Sequence, residues 1–246
     1  MTATATAHRR TPRATTRRSR KRRRSWRRKI VAVAAILLVL TLLAGSLWIV
    51  YFSAVLVTKR VNIVGTHHLT PTQVSYAAQI PLGVPMARQD LDAIAARATS
   101  VPTIESAAVT RSWPHTITVT VVERRPMLAI HQPDGYLLVD KFGVAYQTQP
   151  TLPPEVVVAD LSPGDKPLLA EVAAVAATLP HKLRGKVSLI AADSRDSIVL
   201  MLGSGRTVMW GSSADSELKA QVVAALLKQK PKSSIDVSSP HNPAVR

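Results

Sequence analysis

VNIVGTHHLTPTQV at residues 61–74 and IESAAVTRSWPHTITVTVVERRP at residues 104–126 bracket the part of the chain whose local signals are densest. Val61-Asn62-Ile63-Val64 alternates weakly and stops at Gly65, as a short strand entering a turn does. Thr70-Pro71-Thr72-Gln73 then has the form of a capping box with proline at the first helical position, because the Thr70 oxygen can accept an orphan backbone N–H while Gln73 reaches back. The spacing predicts a helix over residues 71–79 with Val74, Ala77 and Ala78 inward. After the loop 81–85, Asp90 is placed to cap a second helix that carries Leu91, Ile94, Ala95 and Ala98 on one face and ends before Pro102. Two strands follow, over residues 105–111 and 116–123, joined by Ser112-Trp113-Pro114-His115. In the second, Ile117, Val119 and Val121 alternate with Thr116, Thr118 and Thr120, which buries one face and wets the other. The order over residues 61–126 is therefore β-α-α-β-β.

Upstream lies a sharp change of solvent. Thirteen Lys or Arg and no acid fall within residues 1–29, and residues 30–58 contain no charge at all. At about 1.5 Å per helical residue, roughly 20 residues cross a bilayer core of about 30 Å, so this run is long enough to span with tilt. Arg and Lys beside a span stay on the cytoplasmic side, which makes Arg22, Arg23, Arg24, Arg27, Arg28 and Lys29 the topology determinants and puts the N-terminus inside. Trp48, Tyr51 and Phe52 sit near the outer end, where amphipathic rings settle among headgroups. A cleaved signal peptide has an apolar region of only about 7–15 residues. Ala44-Gly45-Ser46 mimics its cleavage site, but apolar residues continue well beyond it. Nucleic acid would also attract the basic arm, yet topology and anionic lipid account for the charge with the span directly beside it. No nucleic-acid partner is expected. The formal +17 divides into +13 over residues 1–29 and, from 19 bases against 15 acids, +4 over residues 59–246. The basic arm has too little apolar content for a core and reads as disordered. With no cysteine, thiolate chemistry and cysteine-ligated metals are excluded.

Downstream, residues 135–146 suggest a hairpin, with polar and glycine residues at the turn between apolar runs. A helix over residues 167–179 has Leu169, Val172, Val175 or Ala176 and Leu179 at helical spacing. Three strands over residues 187–191, 197–202 and 206–210 read as a meander. A last helix over residues 214–229, with Leu218, Val222, Ala225 and Leu226 inward, precedes a short terminal strand at Ile235, Asp236, Val237 and Ser238.

VNIVGTHHLTPTQV, IPLGVPM at residues 80–86, and IESAAVTRSWPHTITVTVVERRP, with ERRP as the exit, resemble the POTRA domain of the bacterial cell-division family FtsQ, also called DivIB. A basic tail, one span, a POTRA module and a β-rich distal domain match that family's layout along the whole chain. The implied fold class is α+β, a single transmembrane helix followed by a β-α-α-β-β POTRA domain and a mixed β-rich distal domain. The expected divisions are a cytoplasmic tail at 1–29, a span at 30–57, a POTRA domain at 58–126, a β domain at 127–238 and a C-terminal tail at 239–246. The resemblance implies a single-pass type II protein of the bacterial inner membrane, enriched at the septum. It implies a scaffold that binds FtsB- and FtsL-like single-span partners, largely by strand addition to the C-terminal part of the β domain, and thereby brings in the septal peptidoglycan synthase.

Catalytic patterns do not assemble. Gly203-Ser204-Gly205-Arg206 lacks the third glycine, or the following Lys-Ser/Thr, of phosphate loops and reads as a hairpin turn. Ser216-Glu217-Leu218-Lys219 fits S-x-x-K, but no S-D-N or K-T-G accompanies it. His67-His68 is an adjacent pair without a neighbouring carboxylate to complete a metal site, and Asp92, Glu105 and Glu123 have no spacing that implies a dyad. The expectation is no enzyme, no cofactor, no metal and no small-molecule substrate. Partner binding has a physical basis instead, because a terminal strand at a sheet edge offers unpaired N–H and C=O groups. Ile235, Asp236, Val237 and Ser238 are the candidate edge; the alternative is an ordinary last strand inside its own sheet. Aromatic anchors are missing there, since Pro240-His241-Asn242-Pro243 follows. Trp113 is either an exposed anchor or a cover for the core, and the reading favours the core. Arg111, Glu123 and Arg124 are expected to pair across strands. Two rivals remain. One is a POTRA-containing chaperone of outer-membrane export, which usually needs repeated modules and a barrel of alternating strands. The other is an anchored cell-wall hydrolase, which needs a nucleophile or metal ligands.

Overall fold

A computed structural model describes residues 18–229 and 234–245. Helix α1, Arg18–Phe52, contains a stretch, Arg28–Phe52, long and apolar enough to cross a membrane. It starts well before the apolar run, so the arm read as disordered is helical from Arg18. Arg and Lys have high helix propensity, and a helix nucleated by the apolar run propagates into them at little cost. Residues 1–17 lie outside the described ones. The helix and its continuation to Arg60, with Pro81–Gln89 and Ser112–Thr116, form one compact unit; Val61–Ile80, Asp90–Arg111 and the described chain from Ile117 onward form the other.

Strand β1 (Arg60–Val64), helix α2 (Pro71–Ala78), helix α3 (Leu91–Thr99), strand β2 (Ile104–Ser112) and strand β3 (Thr116–Glu123) follow the expected order, with the strands arranged β1-β3-β2. The capping box forms as read: Gln73 N–H donates to Thr70 Oγ1 at 3.3 Å, and Thr70 N–H donates to Gln73 Oε1 at 2.8 Å. Asp90 Oδ1 accepts the Ala93 N–H at 3.0 Å. Val74 and Ala78 from α2, Ile94 and Ala98 from α3, and Ile117, Val119 and Val121 from β3 are buried, whereas Ala77 is only half-buried. Arg97 Nε donates to Ala78 O at 2.9 Å, satisfying a carbonyl that the end of α2 leaves without a helical partner.

The turn after β1 is fixed by Glu123. Its carboxylate accepts backbone N–H groups from His67 at 2.8 Å, His68 at 2.9 Å and Leu69 at 2.9 Å. Burial pushes this carboxyl up, but the three amides and the neighbouring His68 outweigh burial and hold it below its ordinary value. Gly65 makes the approach possible: its φ is +92°, and a Cβ there would collide with Val121 O. The expected cross-strand pairing of Glu123 thus gives way to amide capture. Arg124 pairs instead with Asp140, Nη1 to Oδ2 at 2.5 Å, and Lys141 pairs with Glu105 at 3.0 Å.

The distal part contains β4 (Leu128–Gln132), β5 (Gly135–Val139), β6 (Ala145–Gln149), β7 (Val157–Asp160), α4 (Lys166–Thr178), α5 (His181–Arg184), β8 (Val187–Ala192), β9 (Ile198–Leu202), β10 (Thr207–Gly211), α6 (Ser216–Leu226), β11 (Ser234–Asp236) and β12 (Ala244–Val245). These strands form one sheet ordered β12-β11-β10-β9-β8-β7-β4-β5-β6, in which β4/β7, β7/β8 and β10/β11 are parallel. Its core gathers Leu169, Val172, Val175 and Ala176 of α4 with Ile190, Ile198, Leu200, Val208 and Trp210 of the sheet. Helix α6 is rotated relative to the expected face. Leu218 and Ala225 are exposed, while Ser216, Lys219, Ala220 and Val223 are buried. Lys219 can point inward because its ammonium reaches a carbonyl, Ser212 O, at 2.9 Å.

Candidate partner-binding edge

At the C-terminal end of the sheet, β11 runs parallel to β10 with Val208 opposite Ile235 and Met209 opposite Asp236. Val237 N–H extends the ladder to Met209 O at 2.9 Å. Ile235 and Val237 are buried in the distal core, so they lock the strand onto the sheet through their side chains. Asp236 Oδ1 accepts from Ser238 N–H at 2.9 Å and from Ser238 Oγ at 2.7 Å, an Asx turn that bends the chain out of the strand. The chain then returns through a turn closed by Asn242 N–H to Ser239 O at 3.0 Å, and β12 pairs antiparallel with β11, Ile235 opposite Val245 and Asp236 opposite Ala244. The strand at Ile235 is consequently second from the edge. The edge belongs to β12, in the stretch 239–246 read as a tail. Two residues offer no periodicity to detect, and the prolines at 240 and 243 favour a turn reading.

The sheet face turned away from the core carries apolar side chains outward beside this edge. Met209 on β10 is 45 % exposed and Met201 on β9 is also exposed, whereas the exposed Val245 of β12, opposite Ile235, lies on the core side. Flexible, polarizable methionines suit surfaces that repack against a partner. The signal was present in Ile198-Val199-Leu200-Met201-Leu202, which is apolar at every position rather than at alternate ones. The other end of the sheet is β6, which pairs with β5 on one side.

The remaining candidates serve structure. Ser216 Oγ accepts Trp210 Nε1–H at 3.1 Å and donates to Ser213 O at 2.7 Å, while Lys219 Nζ donates to Ser212 O at 2.9 Å. Burial pushes the Lys219 ammonium below its ordinary value, opposed by Asp215. Both members of the S-x-x-K pattern thus tie α6 to the end of β10. Ser213 Oγ donates to Glu171, which also accepts from Arg195 at 2.8 Å, and these bonds hold the Glu171 carboxyl low. A cleft of about 650 Å³ is lined by His67, His68, Arg125 and Arg184 together with Glu123 and Arg124, the last two already engaged by amides and Asp140. Among the topology determinants, Arg28 and Lys29 are exposed; the side chains of Arg22, Arg23, Arg24 and Arg27 lie outside the described ones. Trp48 and Phe52 stack at 4.6 Å near the end of α1. Trp113 is 50 % exposed, contrary to the core reading: it lies in the connection between β2 and β3, outside the alternation that buries Ile117, Val119 and Val121.

Comparisons with known proteins agree with this architecture. The POTRA domain, FtsQ-type, matches residues 57–124, and the domain described as cell division protein FtsQ/DivIB, C-terminal, matches residues 129–238. Cell division protein FtsQ of Streptomyces venezuelae is 40% identical over 217 residues, covering 84% of this chain and 80% of that protein. FtsQ of Streptomyces bingchenggensis is 41% identical over 213 residues, covering 82% and 80%. FtsQ of Mycolicibacterium smegmatis is 34% identical over 219 residues, covering 89% and 65%.

Proposed function

The chain belongs to the FtsQ/DivIB family of bacterial cell-division proteins, and on that premise we propose that it is a non-catalytic, membrane-anchored scaffold of the division machinery. Its basic arm stays cytoplasmic, α1 spans the inner membrane, and the POTRA and β domains lie on the far side. We divide it into a cytoplasmic tail at 1–29, a span at 30–57, a POTRA domain at 58–126 and a β domain from 127 that extends through β12. Asymmetric charge supports this orientation, with +13 before the span and +4 after it. The β domain captures FtsB- and FtsL-like single-span proteins, and through them the septal peptidoglycan synthase, which enriches the chain at the septum.

The observation that carries this reading is the C-terminal edge. A two-residue strand holds the last position of the large sheet, beside outward methionines and a β11 whose Ile235, with Val237 just after it, is buried in the core. A partner strand can extend the ladder along the free side of β12. This pairing uses main-chain hydrogen bonds for affinity and the Met201 and Met209 face for side-chain contact. Co-purification from native membranes tests it with two forms, the full chain and one ending at Ser238. The full chain is expected to recover FtsB- and FtsL-like proteins and the shortened one to lose or greatly reduce them; equal recovery removes the edge from the account.

A further inference from the structure

The segment between α1 and β1 is clamped on two sides. A short 3-10 turn, Ala54–Leu56, is capped by Ser53, whose Oγ accepts the Val55 N–H at 3.1 Å. Next comes Thr58, which is buried and bonds three ways. Its N–H donates to Val84 O at 2.9 Å, its carbonyl accepts from Gly83 N–H at 2.9 Å, and its Oγ1 accepts from Gln89 Nε2 at 3.1 Å. Gln89 Nε2 also donates to Pro81 O at 2.6 Å, which closes the 81–89 loop onto the chain. On the other side, the N–H groups of Lys59 and Arg60 both donate to His115 O, at 2.8 and 3.2 Å. Two turns are therefore fastened to residues 58–60, immediately after the helix, and the Arg88 guanidinium of the first stands 5.7 Å over the Phe52 ring.

Each turn carries a large apolar side chain that the fold leaves in solvent: Leu82 is 61 % exposed and Trp113 50 %, and Val55 on the connecting segment is 65 % exposed. Singly, such residues need no explanation. Here they share one compact unit with the span. The same segments supply Lys59, Arg60 and Arg88, all exposed, and no Asp or Glu occurs in residues 53–60, 81–89 or 112–116. Apolar tips with basic residues and no acid are the chemistry of an interface rich in phosphate headgroups, where a tryptophan ring and aliphatic side chains enter the acyl boundary and cations stay at the phosphates.

We infer that Leu82, Trp113 and Val55, with Lys59, Arg60 and Arg88, form a second membrane contact that rests on the outer leaflet and favours anionic phospholipid. The contact holds the base of the POTRA domain against the bilayer instead of leaving it on a free tether. It rests on the reading that α1 spans the membrane, and the test separates the two.

The chain has no cysteine, so single substitutions give unique labelling sites. Full-length Leu82→Cys, Trp113→Cys, Leu40→Cys and Ser204→Cys are spin-labelled in bilayer nanodiscs of phosphatidylcholine and phosphatidylglycerol, and oxygen accessibility is compared with that of a water-soluble nickel chelate. Each tip variant retains the other tip's apolar side chain. The expected result is an oxygen-to-nickel ratio several-fold higher at 82 and 113 than at 204, approaching that at 40. Lipid-like values at 40 with water-like values at 82, at 113 or at both overturn the second contact and leave the span intact. Water-like values at 40 overturn the span and the inference together.

Discussion

The proximal and distal sheets are closed in different ways. Three strands and two short helices make the proximal module, and its ends are tied by polar groups that each satisfy several partners: Glu123 takes three amides, and Thr58 and Gln89 bracket the 81–89 loop. The distal sheet has nine strands and is closed by apolar packing of α4 and Trp210, with Lys219 held by one carbonyl. A small module buries a smaller share of its surface, so individual polar bonds count for more of its stability. A large core carries the exposed two-residue strand β12 without depending on it, while β11 is held by the buried Ile235.

The largest effect is expected from Trp210→Ala. Trp210 is fully buried and its Nε1–H is bonded to Ser216, so truncation is expected to cost about 3–5 kcal/mol. Hydrogen exchange should accelerate across β8, β9 and β10 while β1 and β3 keep their protection. Equal acceleration in both sheets would break the comparison, since it would make them one cooperative body. Glu123→Ala comes next, at about 2–3 kcal/mol, because it strands the N–H groups of His67, His68 and Leu69. The folded carboxyl lies below its ordinary 4.5, so its stabilisation is fully present above 4.5 and is lost as pH falls through the folded value. A urea series from neutral to acid pH should show that loss in the native chain and not in the variant. Thr70→Ala removes the capping box and should cost about 1 kcal/mol, read as faster exchange confined to α2. Lys219→Met is expected to change stability least, by under about 1 kcal/mol, because the lost bond to Ser212 is offset by ending the burial of a charge. A lowered folded value means the unfolded chain binds the proton more tightly, so this lysine makes stability rise with pH up to about its ordinary 10.5. That slope should vanish in the variant.

What could be read in advance followed sequence distance. The capping box at Thr70–Gln73, the alternation of Ile117, Val119 and Val121, and the apolar face of α4 all lie within a few residues, and each formed as expected. Glu123 holds amides 54 to 56 positions away, which no local pattern encodes. Strands β4 and β7 escaped notice because both are short and flanked by parallel or mixed neighbours, so they lack the alternation that marks a half-wet strand. Lys219 misled the reading of α6, since periodicity assigns a lysine to solvent and the structure gives it a carbonyl instead. At the candidate site, the expected terminal strand over residues 235–238 forms only as Ser234–Asp236 and is followed by a further strand, so the edge falls to Ala244 and Val245.

Hydrogen exchange on the full chain in nanodiscs, free and saturated with a co-purified FtsB- or FtsL-like partner, tests partner capture most directly. The account predicts added protection at β11 and β12 with the proximal strands β1 to β3 unchanged. Protection gained in the proximal module while residues 234–245 exchange as before would contradict it.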